Sequence, residues 1–496
     1  MRRLLRHPAT APVLVGIVAL SLSLIAAGVP SIWYDEAATA SSANRSLAEL
    51  WRQIHTVDAV HGIYYATMHL VFEVFGYSPF TLRAPSAVAI GVAASFTVVL
   101  GRQFGTTRLG VIAGLVFAIL PRTTWAGIEG RSYAATAVAA VVLTIVFVHA
   151  TRSSRRAWWI LYGVGVLVSI LLFLYLALVV LAHAVTVLIL LRHPAWRGVW
   201  KRWLLATVAA GVVLVPFGLL ILGQTRQIEW IPPIGLRTFS DVFVSQWFFT
   251  SYPFAAVAWV GLLAGIVFVL RSRRSDSRAA VLLPALLVPT ATLLLITLFA
   301  IPMYSPRYLT ICLPFVGLVI AVALTALRPR FLALVAIAVL VALAVPQIII
   351  QRQPEVKDHS SWAEVAGLIA EQRALDGPAA HTGIIYGPTQ RHPKSSSQLI
   401  EYAYPEPFVG TVDVTVETTA VAGGTLWEKR MPLYQSLDRL DDLDTVYLLT
   451  SFSNFFSSDR RAATTVQLTA AGWHLDESWT FTRVHVLKYT RDTPDD

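Results

Sequence analysis

Residues 61–76 read HGIYYATMHLVFEVFG, and whether this stretch crosses a membrane decides the topology of everything after it. Other apolar runs lie near 9–29, 84–101, 109–121, 132–150, 157–173, 175–191, 203–222, 253–270, 279–301, 308–327 and 331–350. A span needs about 20 apolar residues; the 109–121 run reaches that only by borrowing its flanks. Counting 61–76 as a further span would put Arg102 and Arg108 outside and invert all later loops. The stretch is short and carries His69 and Glu73, so an interfacial helix on the outer surface fits it better.

With about eleven spans, the basic clusters all fall on one side, as short cytoplasmic loops require. They are Arg2/Arg3/Arg6, Arg102/Arg108, Arg152/Arg155/Arg156, Arg192/Arg197/Lys201/Arg202, Arg271/Arg273/Arg274/Arg278 and Arg328/Arg330. Of the nine acids before residue 350, only Asp276 is then cytoplasmic. Asp35, Glu36, Glu49, Asp58, Glu73, Glu129, Glu229 and Asp241 face outward.

Composition agrees with a membrane protein. The chain is 56% apolar and 14% charged, against roughly 25% charged in soluble domains. Its net charge of +10 is unevenly spread. Residues 1–350 hold 26 Lys/Arg against 9 Asp/Glu, and residues 351–496 hold 13 against 20. A basic membrane part, 1–350, thus precedes an acidic soluble part, 351–496. No basic, aromatic-interleaved stripe suggests nucleic acid. The single Cys312 forms no internal disulfide and reads as a small core hydrophobe. The N-terminal MRRLLRH and following apolar run read as a retained signal anchor.

The cytoplasmic loops are short, basic and without a Gly-rich phosphate cradle, so chemistry is expected on the outer face. Three outward segments carry the dense polar signals: WYDEA (33–37) after the first span, EGRSY (129–133) at the start of the fourth, and PRY (306–308) at the start of the tenth. Adjacent carboxylates at a hydrated membrane edge suit a general base that must stay ionised, which nominates Asp35 and Glu36. Arg131 and Arg307 at headgroup depth suit a phosphate, since guanidinium forks bind its oxygens in pairs. The plainer alternatives are boundary acids and snorkelling arginines.

His61 and His69, eight apart with Asp58 nearby, could suggest a metal, but no tight ligand spacing supports one, and interfacial packing is preferred. Tyr175 sits at the outer turn between the fifth and sixth spans, and His183, two turns deeper, reads as a hydrogen-bonded core histidine. The loop 223–250, with Pro232 and Pro233, cannot be one helix. It either caps a lipid-facing cavity or forms an aromatic belt through Trp230, Trp247, Phe248 and Phe249.

Taken in order, Asp35-Glu36, DAVHGIYY (58–65) leading to Phe75-Gly76, LRAPS (82–86), EGRSY (129–133) and PRY (306–308) resemble the GT-C polyprenyl-phosphate-sugar glycosyltransferases. The resemblance is to the family 39 type that includes protein O-mannosyltransferases and the ArnT-like aminoarabinose transferases, and it covers most of residues 20–350. The family's His-Pro-Pro is replaced here by His61-Gly62-Ile63.

The resemblance implies a polytopic α-helical membrane protein with a C-terminal extracytoplasmic α/β domain, multi-pass in the cytoplasmic membrane and active on its outer face. It implies inverting transfer of a sugar, mannose first, from a polyprenyl-phosphate donor to a glycan, glycolipid or protein acceptor. Asp35 would be the base, and Tyr133 and Tyr308 would join Arg131 and Arg307 on the phosphate. Glu36 and Glu129 would orient sugar or acceptor hydroxyls or ligate a divalent cation, and Asp58, His61, Tyr65 and Tyr175 would line the sugar or acceptor site. A non-enzymatic lipid or polymer transporter would instead carry polar residues at mid-membrane, and a non-catalytic scaffold would not need Asp35, Glu36, Arg131 and Arg307 intact.

Beyond residue 351, SSWAEVAGLIA (360–370) reads as a capped amphipathic helix, and 382–386, 444–450 and 482–489 as strands, the second fully buried. A small α/β domain follows.

Overall fold

The computed structural model describes residues 7–191, 193, 196, 198–271, 275–389, 395–451 and 455–491. The charge clusters involving Arg2, Arg3, Arg6, Arg192, Arg197, Arg273 and Arg274, and the side chain of Asp276, lie outside the described residues. The chain divides into two compact units. One comprises residues 1–27, 58–64 and 83–351, the other 28–57, 65–82 and 352–496.

The first unit is helical. Among the described residues seven helices are long and apolar enough to cross a membrane: Pro79–Phe104, Tyr133–Arg152, Val199–Leu222, Tyr252–Arg271, Arg278–Phe299, Pro306–Ala326 and Phe331–Ile350. Shorter apolar helices run over Thr10–Leu24, Thr107–Ile119, Ala157–Leu172 and Leu174–Leu190. Lipid provides no hydrophobic drive between helices, so close approach depends on small residues. A Cβ on Gly110 would lie 2.4 Å from the Val98 carbonyl oxygen, and one on Gly265 2.1 Å from that of Val319. These glycines let their helices touch backbone to backbone.

Helix breaks fall where the polar motifs lie. The Thr107–Ile119 helix stops at Leu120, before Pro121 begins a short helix to Ala126. The Ala157–Leu172 helix ends at extended Phe173, and a 3₁₀ turn, Leu174–Leu176, starts the next. Pro306–Cys312 is likewise 3₁₀ before the α-helix Leu313–Ala326. Loop 223–250 is broken, as its prolines require, into a 3₁₀ turn at Thr225–Ile228 and short helical pieces from Leu236 to Phe248.

The second unit is built on a five-stranded sheet ordered β2-β1-β5-β7-β6. Its strands are β1 Thr382–Tyr386, β2 Val412–Asp413, β5 Thr445–Thr450, β6 Trp473–Phe481 and β7 Val484–Arg491; β3 Val416–Thr418 and β4 Lys429–Arg430 pair separately. β1 is parallel to β2 and β5, whereas β7 is antiparallel to β5 and β6. Along β5, Tyr447 and Leu449 enter one core with Ile384 and Val365, while Val446 and Leu448 enter the other with Ile385 and Leu468. This period of two with both faces covered explains an all-apolar strand. The expected helix at 360–370 is Trp362–Asp376.

Residues 28–57 and 65–82, read from sequence as outer segments of the membrane part, cluster with this sheet. Ser360 Oγ donates to the Ile32 carbonyl at 2.6 Å, Tyr404 Oη accepts from the Ile32 amide at 3.0 Å, and the Arg45 guanidinium donates to the Thr425 carbonyl at 2.8 Å. Stretch 62–75 is a helix, as expected. The WYDEA segment is not a loop: Tyr34–Ala43 is a helix with Asp35 and Glu36 in its first turn. The alanine-rich YDEAATASSA favours helix, and acids at the N-terminus complement the helix dipole.

Candidate active site

In the first unit, the break before the Tyr133–Arg152 helix turns EGRSY inward. Ser86 Oγ lies 2.6 Å from the Glu129 carbonyl and 3.3 Å from that of Arg131, fixing the turn by hydrogen bonds to its backbone. Glu129 and Arg131 are both buried. The Arg131 Nη2 donates to His61 Nε2 at 2.9 Å. Burial, then the positive charges of Arg131 and Arg307, hold the His61 imidazole well below its usual value, so it is neutral and accepts this bond. His61 closes the 3₁₀ turn Ala59–His61, preceded by Asp58 in the left-handed region. The Ala59 amide donates to Gln224 Oε1 at 3.0 Å, tying that turn to the start of loop 223–250.

Beside this pair is an aromatic cluster assembled by the helix breaks. The Tyr175 and Tyr308 rings lie 4.3 Å apart, Tyr133 and Tyr308 6.2 Å, and Phe173 packs against Tyr133, Tyr175, Tyr308 and His61. The Arg307 guanidinium stacks over Trp230, from loop 223–250, at 4.7 Å. Buried Arg122, whose Nε donates to the Ser245 carbonyl at 3.0 Å, is held down to about 10, first by burial. The result is a cluster of guanidinium groups and tyrosines, chemistry suited to a phosphate with an apolar tail.

In the second unit, Asp35 is half-buried and Glu36 fully buried. The Glu36 carboxylate takes the Lys357 ammonium at 2.9 Å, both side chains 0% exposed. Tyr34 Oη accepts from Trp427 Nε1 at 3.1 Å, which fixes the residue before Asp35. Tyr65 is buried on the Gly62–Phe75 helix. Of the expected residues, His61, Arg131, Arg307, Tyr133, Tyr175 and Tyr308 therefore meet around one cluster, with Glu129 and Asp58 on the same turns. Asp35, Glu36 and Tyr65 belong to the other unit.

Sequence reading missed Lys357, Arg122 and Phe173. A single Lys past the last span and an Arg among apolar residues carry no local signal; the Pro121 beside Arg122, marking a break, was the one available clue.

Glu36 is engaged by an ammonium, His69 Nδ1 bonds the Ala43 carbonyl at 3.1 Å, and among the described residues no three His, Cys, Asp or Glu side chains gather. His183 is a core histidine, between Tyr162 Oη at 3.0 Å and Thr144 Oγ1 at 3.1 Å.

No family model and no curated protein matches the chain by sequence. Among solved structures it is similar to ArnT from Cupriavidus metallidurans in the apo state, with TM-score 0.64 and 13% identity over 96% of this chain and 97% of that one. The same enzyme bound to undecaprenyl phosphate gives TM-score 0.61 and 14% identity over the same shares. The Archaeoglobus fulgidus oligosaccharyltransferase in the apo form gives TM-score 0.52 and 12% identity over 89% and 69%. The chain is a multi-pass membrane protein with the GT-C glycosyltransferase fold and a C-terminal sheet domain.

Proposed function

We propose that the protein is an inverting glycosyltransferase that moves a sugar, mannose first, from a polyprenyl-phosphate donor to an acceptor on the outer face of the cytoplasmic membrane. The observation that carries this reading is the buried Arg131, held by neutral His61 beside Tyr133, Tyr175 and Tyr308 with Arg307 close enough to act on the same imidazole. It occurs in a fold shared with an enzyme crystallised with undecaprenyl phosphate.

In the reaction, an acceptor oxygen bonds to the anomeric carbon as the bond from that carbon to the phosphate oxygen breaks. The acceptor proton passes to Asp35, and polyprenyl phosphate leaves with one more negative charge. Arg131 and Arg307 stabilise charge that grows in the transition state, where fixed donors are most effective. Tyr133 and Tyr308 add hydroxyl donors and an aromatic wall for the isoprenoid, and Glu129, Asp58, His61, Tyr65 and Tyr175 line the sugar and acceptor. Glu36, closed off by Lys357, acts as a positioning residue for the helix turn that presents Asp35. The family 39 subtype belongs to this proposal.

The test is transfer of radiolabelled mannose from polyprenyl-phosphate-mannose in membranes carrying wild type or Asp35→Asn, with envelope fractions as acceptors. A general base is worth about 10²–10⁴-fold, so label should appear with the wild type and fall by that factor in the variant. Equal label in both removes Asp35 from the chemistry. No label with any polyprenyl-linked sugar overturns the reading.

A further inference from the structure

A cleft of about 550 Å³, counting the space open at its mouth, lies in the second unit at the carboxyl ends of the parallel strands β1 and β5. That end of an open α/β sheet is where such folds hold ligands. Its wall includes Thr450 and Ser451 at the end of β5, the aromatic rings of Trp33 and Trp362, and Asp358 with Arg483.

Three features set the cleft apart from ordinary surface relief. The Thr450 and Ser451 side chains are only 1% and 4% exposed, yet neither hydroxyl finds a partner among the described residues. Buried hydroxyls without partners are costly and rare, and the two residues that carry these line a cavity. Gly387 leaves space beside the Thr450 hydroxyl, since a Cβ there would lie 2.7 Å from its Oγ1. Finally, among the described residues six non-glycine residues have positive φ, and three of them, Asp358, His359 and Arg483, line this one cleft. Arg483 closes the turn between β6 and β7, and Asp358 and His359 hold left-handed backbone of the kind that gathers at ligand-binding walls.

The lining also selects the ligand. Arg483 is already neutralised by Asp358, at 3.0 Å, with a second bond of 2.6 Å to the Asp358 carbonyl, so among the described residues the lining offers an anion no uncompensated arginine. Hydroxyl groups that donate and accept, in a wall that also carries two tryptophans, match a polyhydroxylated ring with an apolar C–H face.

We propose that this cleft binds a neutral sugar residue of the acceptor glycan. Trp33 and Tyr34, which line it, immediately precede Asp35 on the same helix turn. Naming the occupant as acceptor rests on the glycosyltransferase reading above; the cleft's affinity for neutral sugar does not.

The test uses full-length protein in nanodiscs, with tritiated mannotriose, maltotriose and cellotriose as probes in equilibrium dialysis, and Thr450→Val/Ser451→Ala as the variant. At least one trisaccharide should bind saturably, unaffected by equimolar inorganic phosphate, and about tenfold or more weaker in the variant, as two lost hydrogen bonds imply. The variant's Tm should equal or exceed that of the wild type, because deleting an unpartnered buried hydroxyl does not destabilise the fold. No saturable binding of any probe, binding indifferent to the variant, or displacement by phosphate overturns the proposal. In the transfer assay the variant should raise the acceptor KM and leave the donor KM unchanged; a rise in donor KM instead would assign the cleft to the donor's sugar and overturn the acceptor assignment. Sugar binding without transfer from any donor would sink the glycosyltransferase reading and keep the cleft, whereas transfer with an unchanged acceptor KM in the variant would do the reverse.

Discussion

Replacing Lys357 by Met should unfold the second unit well before the wild type melts. The Lys357 ammonium and Glu36 carboxylate are 2.9 Å apart with neither side chain exposed. At an effective dielectric constant near 20 their attraction is roughly 6 kcal/mol, most of it offset by the desolvation of both ions. Removing one ion loses the attraction and leaves the other's desolvation uncompensated, which costs about 3–5 kcal/mol. A unit of this size shifts its Tm by about 2–4 °C per kcal/mol, so Lys357→Met should melt roughly 6–20 °C lower by thermal circular dichroism of the full-length protein. The double variant Glu36→Gln/Lys357→Met carries no buried charge and should regain most of that loss. If Glu36 only positions the turn bearing Asp35, the double variant should also keep transfer within about tenfold of wild type. A Lys357→Met protein melting within 2 °C of wild type would refute the energetic argument; a stable double variant that had lost transfer a hundredfold would mean that Glu36 touches the substrate.

Other outcomes follow from the same geometry. Arg131→Gln should lower kcat by about 10²–10³-fold, the size of effect expected when one donor to developing charge is removed, with mannosyl transfer as the assay. The imidazole of His61 is held below its ordinary 6.5 by burial and by two arginines. The unfolded chain therefore takes up a proton below pH 6.5 that the folded one refuses, and stability is lost as pH falls through that value by up to about 1.4 kcal/mol per pH unit. His61→Gln should show a shallower loss of Tm between pH 6.5 and 5 than the wild type; parallel curves would count against a neutral histidine. Gly265→Ala places a methyl 2.1 Å from the Val319 carbonyl oxygen and should cost about 1–3 kcal/mol or more, read as a lower yield of monodisperse protein in size-exclusion chromatography.

The legible part of this molecule was whatever repeats locally. Apolar runs announced the long helices, and three short strand-like runs, the second nearly all apolar, announced β1, β5 and β7. Pro306 and the EGRSY turn marked breaks where backbone groups need new partners, and the arginines proposed to hold phosphate lie at those breaks. The WYDEA helix was also legible, because two acids before an alanine-rich run are a helix start. The misreading came from treating a membrane edge as a loop.

Nothing local could assign residues 28–57 and 65–82 to the sheet unit. The contacts that do so, Ser31 and Ile32 to Ser360 and Tyr404 or Arg45 to the Thr425 and Leu426 carbonyls, join positions more than 300 residues apart, and each looks in sequence like a solvated polar side chain. Lys357 is the sharpest case. Just beyond a helix ending at Ile350, it reads as a surface charge, yet it is completely buried because Glu36 is. A charge enters a protein interior only with its counter-ion, so finding one member should prompt a search for the other among charges that appear to have no work. Applied here, a Glu beside the candidate base and too buried to reach solvent implies a cation from some distant segment. Residues 351–496 hold 13 of the chain's 39 Lys and Arg, too many for that logic to choose Lys357 without the fold.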